Sequence, residues 1–330
     1  MVAAMNTPLV FRFLATLLMA GAAQAGDIRL GMVGLDTSHA VAFTKILHDP
    51  AAKDFIAGAK VVGAWKAASP DIKSSWSTVE GYTEKLRTEF GVKMYDSIEE
   101  LVKNVDAVLI ESVDGRPHLA QARAVILAGK PLFVDKPLAA SLKDALAIFA
   151  LAREHHVPIF SASSLRFAPE TVAVRAGSIG RVLRAETSSP AHLEATHPDL
   201  FWYGIHGVEA LFTVMGPGVE SVTRRSSAAG AIEVEGRWAD GRVGVFREGK
   251  TYAGKAVGEK GEASVGKYDG YAPLVKAIVA FLQTKVAPVA ERETVEILAF
   301  MEADVLSKAR GGAAVKISEV LARAGYLPSR

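Results

Sequence analysis

The sequence predicts an α/β protein: an N-terminal domain with a doubly wound parallel sheet, then an α+β domain with a mostly antiparallel sheet. In residues 27–161, short apolar runs alternate with helical stretches, a pattern that builds parallel sheets with right-handed crossovers. In residues 162–330, alternating segments are separated by turn residues such as Asp240 and Gly241, which favours antiparallel pairing. A length of 330 residues is sufficient for two domains that each bury a core.

The elements of the first domain follow one another along the chain. Apolar runs predict strands at 28–35, 60–65, 92–95, 106–110, 131–134 and 157–160. Helical spacing predicts helices at 38–48, 82–90, 118–128 and 141–155. A further helix is predicted to start at Ser97, where Glu100 completes a capping box, and Gly91 and Gly129 are predicted to end two of the helices.

The second domain is predicted to begin with two helices that flank one strand. The helices lie at 167–176 and 203–215, and the strand lies at 182–187. Alternating segments then predict strands at 219–225, 231–238, 242–248 and 262–265. Helices at 272–284 and 291–309 are predicted to close the chain.

Residues 1–25 have the pattern of a secretory signal peptide. One cation, Arg12, precedes an apolar run, and the small residues Ala23 and Ala25 frame an A-Q-A cleavage site. We therefore expect cleavage after Ala25 and a periplasmic or secreted protein. The alternatives are a buried helix or an uncleaved anchor, although the run is short for a membrane span.

Charge and cysteine content exclude several classes of function. The chain has 38 basic and 36 acidic side chains, a formal net charge of +2, which gives no overall attraction to nucleic acid or to an anionic membrane. It has no cysteine, so disulfides, thiolate zinc sites and cysteine nucleophiles are excluded. We expect neither nucleic acid nor, once the signal is removed, a membrane as partner.

Five segments, taken in order, resemble one family of oxidoreductases. They are an apolar strand ending in a glycine turn at 28–34, the sequence AGKPLFVDKPL at 128–138, SLRF at 164–167, YGIH at 203–206, and a closing helix and strand at 301–317. Together they resemble the glucose-fructose oxidoreductase, inositol dehydrogenase and rhizopine-catabolism (Gfo/Idh/MocA) family. The resemblance implies a Rossmann-like N-terminal domain, hydride transfer between NAD(P) and a sugar or polyol, and a homodimer formed through the C-terminal sheet.

The residues expected to bind the cofactor depart from the dinucleotide fingerprint G-x-G-x-x-G. In the corresponding frame, Gly34 is followed by Leu35, Asp36, Thr37, Ser38 and His39, so only the first glycine is present. Asp36 would place a carboxylate where the pyrophosphate lies. Lys66 stands near the end of the second strand, where an acidic residue normally binds the ribose, and could meet a 2′-phosphate. Glu111 adds a further carboxylate at the end of the fourth strand. We therefore expect a vestigial or altered NAD(P) site.

The same strand ends also offer ligands for a divalent metal. Asp36, His39 and Glu111, with Asp114 and His118 nearby, supply carboxylate and imidazole groups. Solvated loop residues and helix caps are the alternative interpretation.

The resemblance implies that Lys136 and His206 are catalytic. Lysine and histidine can both transfer protons to and from a sugar hydroxyl. Trp202 stands where the family has an aspartate, and an indole stacks on a sugar face but moves no proton. Tyr203 is a further candidate to contact the ligand.

Glu209 lies three residues after His206, so both share a helix face. They could form an acid–base pair, two metal ligands or a buried structural pair. Arg166 could bind an acidic group of the substrate or hold the domain junction. His118, His197 and, more weakly, His192 are candidates to line the substrate mouth.

These residues favour an exported enzyme that acts on a carbohydrate by proton transfer, through elimination, epimerisation or hydrolysis. One alternative is an NAD(P)-dependent sugar or polyol oxidoreductase with unusual cofactor contacts. The other is a sugar-binding protein without catalysis.

Overall fold

The computed structural model describes residues 26–226 and 230–326, and two β-sheets organise them. The segment expected to be a signal peptide lies outside the described residues. In the described ranges, no helix has both the length and the apolar character needed to cross a membrane.

The first sheet has six strands, ordered β3-β2-β1-β4-β5-β6, and each neighbouring pair is parallel. Its strands are β1 (Ile28–Val33), β2 (Ala59–Trp65), β3 (Lys93–Tyr95), β4 (Ala107–Ile110), β5 (Leu132–Asp135) and β6 (Ile159–Ala162). The helices between them are α1 (Ser38–His48), α2 (Lys73–Phe90), α3 (Ile98–Leu101), α4 (His118–Leu127) and α5 (Leu142–Glu154). This is the predicted doubly wound domain. All residues of β4 and β5 are buried, as expected for strands that helices cover on both faces.

Local capping places the helix ends close to their predicted positions. The side chains of Thr37, Ser97 and Ser141 each accept a backbone N–H at the start of α1, α3 and α5. Gly91 takes the left-handed conformation that ends α2. However, α2 starts at Lys73, nine residues before the predicted start, because a polar stretch without apolar periodicity forms its first turns.

The second sheet has seven strands, ordered β12-β11-β7-β10-β9-β8-β13. Its strands are β7 (Val182–Ser189), β8 (Val219–Ser226), β9 (Ile232–Trp238), β10 (Val243–Glu248), β11 (Ala253–Gly258), β12 (Gly261–Ser264) and β13 (Val315–Lys316). Within the described ranges, β7 and β10 form its one parallel pair, so the predicted antiparallel character is confirmed. β11, rich in small residues, was not predicted.

The outer face of this sheet carries cross-strand ion pairs. Arg225 contacts Glu235, Arg247 contacts Glu233 and Glu186, and Lys255 contacts Glu262. The opposite face is apolar and packs against helix α7 (Ile205–Met215), all of whose residues are buried.

The remaining helices join the two halves of the molecule. They are a 3₁₀ turn (Ser164–Phe167), α6 (Pro169–Arg175), a π turn (Leu200–Gly204) that leads into α7, α8 (Ala272–Thr284), α9 (Glu291–Ala309) and α10 (Ile317–Arg323). Although α8 lies late in the chain, it packs on the first domain, where Phe281 meets Phe160 with ring centroids 4.9 Å apart. The chain therefore returns to the first sheet, and this return closes a cavity between the two halves.

Candidate active site

A cavity of about 210 Å³ lies between the carboxyl ends of the first-sheet strands and the second domain. The start of α1 contributes Thr37, Ser38 and His39 to its wall. Strand ends are where doubly wound sheets bind ligands. The titratable groups that line the cavity are two imidazoles, one ammonium and four phenols: His39, His206, Lys136, Tyr203, Tyr252, Tyr268 and Tyr271.

Lys136 follows directly after β5 and precedes Pro137 through a cis peptide bond. Its side chain is largely enclosed, and its residue is 8% exposed. Nζ lies 3.4 Å from Oδ2 of Asp135, the last residue of the strand. The ammonium group is therefore held at the cavity wall by the strand end and by a carboxylate beside it.

His206 lies in the first turn of α7 and lines the cavity. Its Nδ1 atom is 2.8 Å from Oγ of Ser163, which leaves Nε2 as the nitrogen available to a ligand. Burial, together with the positive charge of Lys136, holds the pKa of His206 well below its ordinary value. The imidazole is therefore neutral near pH 7 and able to accept a proton. Tyr203, in the π turn before α7, lies 5.7 Å from it between ring centroids.

Three tyrosines of the second half complete the wall, and sequence reasoning missed all three. Tyr252 lies before β11, and Tyr268 and Tyr271 lie before α8. Burial raises the pKa of Tyr252 to about 12 and that of Tyr271 further still, so both phenols keep their protons. Neutral phenols can exchange hydrogen bonds with hydroxyl groups and offer ring faces to a sugar. Only their spacing before a helix could have pointed to Tyr268 and Tyr271.

A buried cluster of His39, Glu111 and Asp135 lies beside the cavity. Nδ1 of His39 is 2.9 Å from Oδ2 of Asp135 and 3.9 Å from Oε2 of Glu111. Burial, reinforced by the charge of Asp135, holds the pKa of Glu111 well above its ordinary value. Burial also acts to raise the pKa of Asp135, but Lys136 and His39 outweigh it and hold that pKa below its ordinary value.

Asp36 does not lie in this cluster, contrary to the sequence-based metal hypothesis. Its Oδ2 atom accepts a 2.5 Å hydrogen bond from the Ser75 hydroxyl, and its Oδ1 atom accepts one of 3.1 Å from the Val113 N–H. Thr78 donates to the Asp36 carbonyl from the same helix as Ser75. Burial raises the pKa of Asp36, while the hydrogen bonds from Ser75 and Val113 act in the opposite direction. The predicted set of metal ligands is therefore corrected: Asp135, and not Asp36, lies with His39 and Glu111. Asp36 is held instead by Ser75 of α2 and by the loop after β4.

A second network ties the segment between β2 and α2 to the end of β4. Ser69 donates a 2.5 Å hydrogen bond to Asp114, and Arg116 contacts both Asp114 and Asp71. Burial opposes ionisation of Asp114, but these donors and His197 hold its pKa well below its ordinary value. Asp114 is therefore engaged by neighbouring side chains and does not join the cluster around Glu111.

Two further residues of the predicted cofactor site are placed as follows. Gly34 has a φ of +83°, and a Cβ atom there would overlap both the side chain and the backbone nitrogen of Ser112. Lys66 lies at the surface, where its Nζ atom is 2.6 Å from Glu80.

Glu209 forms a buried ion-pair network with Arg166. One of the sequence-based hypotheses paired it with His206. Oε1 of Glu209 accepts a 2.7 Å hydrogen bond from Arg166, and its Oε2 atom accepts one of 2.8 Å from the Ser163 N–H. Arg166 also contacts Glu293 at 2.6 Å, and Glu293 contacts Arg175. Burial raises the pKa of Glu209, and Arg166 opposes that rise. Because both carboxylate oxygens of Glu209 are used, the hypotheses that it pairs with His206 or binds a metal do not hold. Arg166 therefore ties the 3₁₀ turn to α7 and α9 within the second domain.

The other predicted substrate-binding residues do not line the cavity. His118 is fully enclosed, and its ring nitrogens lie 2.9 Å from the Ser112 carbonyl and 3.1 Å from the Pro137 carbonyl. His197 lies 3.1 Å from Asp114, and its ring contacts that of Trp202. His192 contacts the ring of Tyr203 from outside the lining. From the sequence alone, histidines that contact other residues of the protein could not be distinguished from histidines that bind a ligand.

Comparison with known proteins agrees with this architecture. Residues 28–163 match the family model described as "Oxidoreductase family, NAD-binding Rossmann fold", the GFO_IDH_MocA family. This domain belongs to the Gfo/Idh/MocA family of oxidoreductases. The family match covers the first sheet and its helices and ends at Ser163, just before the 3₁₀ turn.

Two curated oxidoreductases resemble the chain over part of its length. A 1,5-anhydro-D-fructose reductase of Ensifer adhaerens is 36% identical over 140 residues, which are 40% of this chain and 42% of that protein. The dehydrogenase aclE of Aspergillus oryzae is 33% identical over 164 residues, 47% of this chain and 42% of that protein. These alignments thus span about two fifths of the curated relatives' lengths.

Solved structures of family members share the complete fold. A probable dehydrogenase of Thermotoga maritima superposes with a TM-score of 0.71 at 20% identity, covering 89% of this chain and 100% of that one. A myo-inositol dehydrogenase of Lactobacillus casei, in complex with NAD(H) and myo-inositol, gives 0.68 at 17% identity, covering 88% and 96%. At these identities the likeness establishes the fold, including the second domain.

Proposed function

We propose that this protein acts on a small carbohydrate or polyol in the cavity by proton transfer, without turnover of NAD(P). The observation that carries the proposal is the position of Asp36. Its buried carboxyl group fills the turn between β1 and α1, where dinucleotide-binding folds place the pyrophosphate.

The contacts of this turn do not fit a dinucleotide. A pyrophosphate needs free N–H donors at a helix N-terminus, but here Asp36 takes the Val113 N–H and Thr37 takes the His39 N–H. The acceptor oxygens of Asp36 would face those of the phosphates, which is repulsive. Lys66, the one residue expected to compensate with positive charge, is paired with Glu80 at the surface. The altered fingerprint of the sequence thus coincides with a turn in which a buried carboxyl group stands and the His39 N–H is already bound by Thr37.

His206 and Lys136 both line the cavity and are suited to carry the proton transfer. The neutral imidazole of His206 accepts a proton from the substrate or from water through Nε2. The Lys136 ammonium returns a proton to the departing oxygen. Hydrolysis and elimination proceed in this way, whereas epimerisation beside a carbonyl returns the proton to the carbon that lost it. All three leave the overall oxidation state of the substrate unchanged, so they need no hydride acceptor.

The lining and the relatives both support a carbohydrate or polyol as substrate. Four phenols and two imidazoles give a small cavity many hydrogen-bonding groups and several ring faces. The printed names of two relatives refer to 1,5-anhydro-D-fructose and to myo-inositol. We carry this class of ligand over to the present chain as part of the proposal.

Export and dimer formation complete the proposal. The pattern of residues 1–25 supports export with cleavage after Ala25. The C-terminal sheet presents a face of paired charges, and we propose that a second copy of the chain binds there. N-terminal sequencing of the protein from a periplasmic fraction, and its mass in solution, test these two points.

Turnover without nucleotide is the direct test of the reaction. The purified protein is mixed with 1,5-anhydro-D-fructose, myo-inositol and a panel of sugars in deuterated water, and NMR follows product formation and deuterium uptake. We expect conversion with no NAD(P) present, and its loss in Lys136→Ala and His206→Ala. The surface variants Lys276→Ala and His155→Ala serve as matched controls and should behave as wild type. Conversion that requires added NAD(P) would refute the proposal.

An NAD(P)-dependent sugar or polyol oxidoreductase is the second candidate, and the family match over residues 28–163 favours it. Such an enzyme requires the turn that holds Asp36 to open and bind the dinucleotide. Its turnover would change the absorbance of the nicotinamide at 340 nm. A sugar-binding protein without catalysis would bind members of the panel but convert none of them, with or without nucleotide.

A further inference from the structure

We propose that His39, Glu111 and Asp135 bind one divalent transition-metal ion at the edge of the cavity. The inference is independent of the reaction proposed above, because it concerns binding of the ion alone. The three residues come from three adjacent parts of the first domain: the first turn of α1, the residue after β4, and the last residue of β5. Because β1, β4 and β5 are neighbours in the sheet, their carboxyl ends converge on this point.

The distances suit a single ion. One ligand atom from each residue lies within 4.8 Å of the others. Metal–ligand bonds of about 2.0–2.2 Å hold two ligand atoms at most about 4 Å apart. Side-chain movements of less than an ångström would therefore close the three groups around an ion.

The unpartnered oxygens of Glu111 point to a missing ligand. Its side chain is 0% exposed, and neither Oε1 nor Oε2 has a hydrogen-bond partner among the described residues. Oδ1 of Asp135 is likewise unpartnered within that part of the chain. Buried polar groups in folded proteins nearly always have partners, and an unpaired buried carboxylate is costly. An ion between the two side chains would supply the partner that both lack.

The charges and the imidazole narrow the choice of ion. Two buried carboxylates face one nearby ammonium, that of Lys136, so the group can accept further positive charge. The ring of His39 is held in place by Phe43 and Tyr271, with centroids 5.4 and 4.6 Å away. Imidazole combined with carboxylate suits Zn²⁺ or Mn²⁺ better than Ca²⁺ or Mg²⁺, which prefer oxygen ligands alone. Because His39 also lines the cavity, the open coordination positions would face it.

A proton shared between Glu111 and Asp135 is the competing explanation. A protonated Glu111 would relieve the repulsion between the two carboxylates without any ion. The two explanations differ in one respect: only the metal site predicts stoichiometric binding that depends on Glu111.

Calorimetric titration distinguishes them. The purified protein is treated with a chelator, dialysed and titrated with ZnCl₂ and, separately, MnCl₂. We expect one ion per chain for at least one of the metals, with affinity at least 100-fold lower in Glu111→Gln, whose side chain has nearly the same shape. Glu80→Gln, at an exposed carboxylate, is the matched control and should bind as wild type.

Two results would overturn the metal site: no stoichiometric binding of either ion, or binding that Glu111→Gln leaves unchanged. Circular dichroism establishes that the variant is folded. If Glu111→Gln does not fold, His39→Ala replaces it, and unchanged binding in that variant is equally contradictory. Loss of sugar conversion has no bearing on this test, so the site and the proposed reaction fail separately.

Discussion

The Ser75 hydroxyl donates a 2.5 Å hydrogen bond to Oδ2 of Asp36 and so ties helix α2 to the turn that follows β1. The other oxygen of Asp36 accepts from the Val113 N–H, on the loop after β4. One buried carboxyl group therefore joins three segments at the edge of the sheet where dinucleotide-binding folds place the pyrophosphate. This arrangement gives the turn a structural role.

If Asp36 has this role, Ser75→Ala will destabilise the protein. Removing the hydroxyl leaves a buried carboxylate oxygen without a donor, so we expect the free energy of unfolding to fall by about 1–3 kcal/mol. Urea denaturation followed by circular dichroism measures the change. Ser77→Ala, on the exposed side of the same helix, should stay within about 0.5 kcal/mol of wild type. Equal stability of the two variants would contradict the role given to Asp36.

Gly34→Ala should lower the free energy of unfolding by more than the strain of a positive φ alone would. A Cβ atom at Gly34 is strained by the positive φ and also overlaps Ser112, so we expect a loss of about 2–5 kcal/mol. Gly91→Ala has a similar φ but open space around it, and should cost only about 1–2 kcal/mol. Equal losses in the two variants would mean that the approach of Ser112 to the turn has no energetic effect.

Much of the fold could be predicted from the sequence because it depends on short-range signals. Strands β4 and β5 are continuous apolar runs, and α1 begins at the Thr37 cap, so both types of element are visible in the residues themselves. The position of α8 on the first domain could not be predicted, since it depends on a contact between Phe160 and Phe281, far apart in the chain.

The sequence predicted part of the candidate site: His206 and Tyr203, both named as candidates there, line the cavity. Lys136 and His39 lie at the cavity as expected from their positions after β5 and β1. The partners of buried polar groups were not visible, because nothing near Glu209 in the sequence identifies Arg166 as its partner. Likewise, nothing near His39 in the sequence identifies Asp135 as its partner, although the two side chains lie 2.9 Å apart.

Glu209→Gln tests the correction from catalytic to structural residue. The change leaves the buried Arg166 with less compensating charge, so we expect a loss of about 3–5 kcal/mol in unfolding free energy. Glu170→Gln, at an exposed position, should have little effect. A Glu209→Gln variant as stable as wild type but without activity would restore the catalytic interpretation.

The contribution of Asp304 to the stability of the protein should fall between about pH 4 and pH 6. Burial raises the pKa of this carboxyl group to about 6, although Arg224 lies 2.7 Å from it. A raised pKa means that the folded state holds a proton that the unfolded state has released, so stability falls as the pH rises through this interval, by up to about 3 kcal/mol.

Comparison of wild type with Asp304→Asn isolates this effect, since the amide does not titrate. We expect the stability of the variant relative to wild type to rise between pH 4 and pH 7, as measured by urea denaturation. Asp106→Asn is the opposite control: Arg29 lowers the pKa of Asp106, so this variant should lose stability relative to wild type as the pH rises. A constant difference for Asp304→Asn would contradict the raised pKa.

Calorimetric titration of the wild-type protein with NAD⁺ and NADP⁺ tests the central claim most directly. If the Asp36 carboxyl group closes the dinucleotide site, neither nucleotide will bind at concentrations up to about 1 mM, equivalent to less than about 4 kcal/mol of binding free energy. Stoichiometric binding of either nucleotide with a micromolar or lower Kd would contradict the claim and identify the protein as an NAD(P)-dependent member of its family.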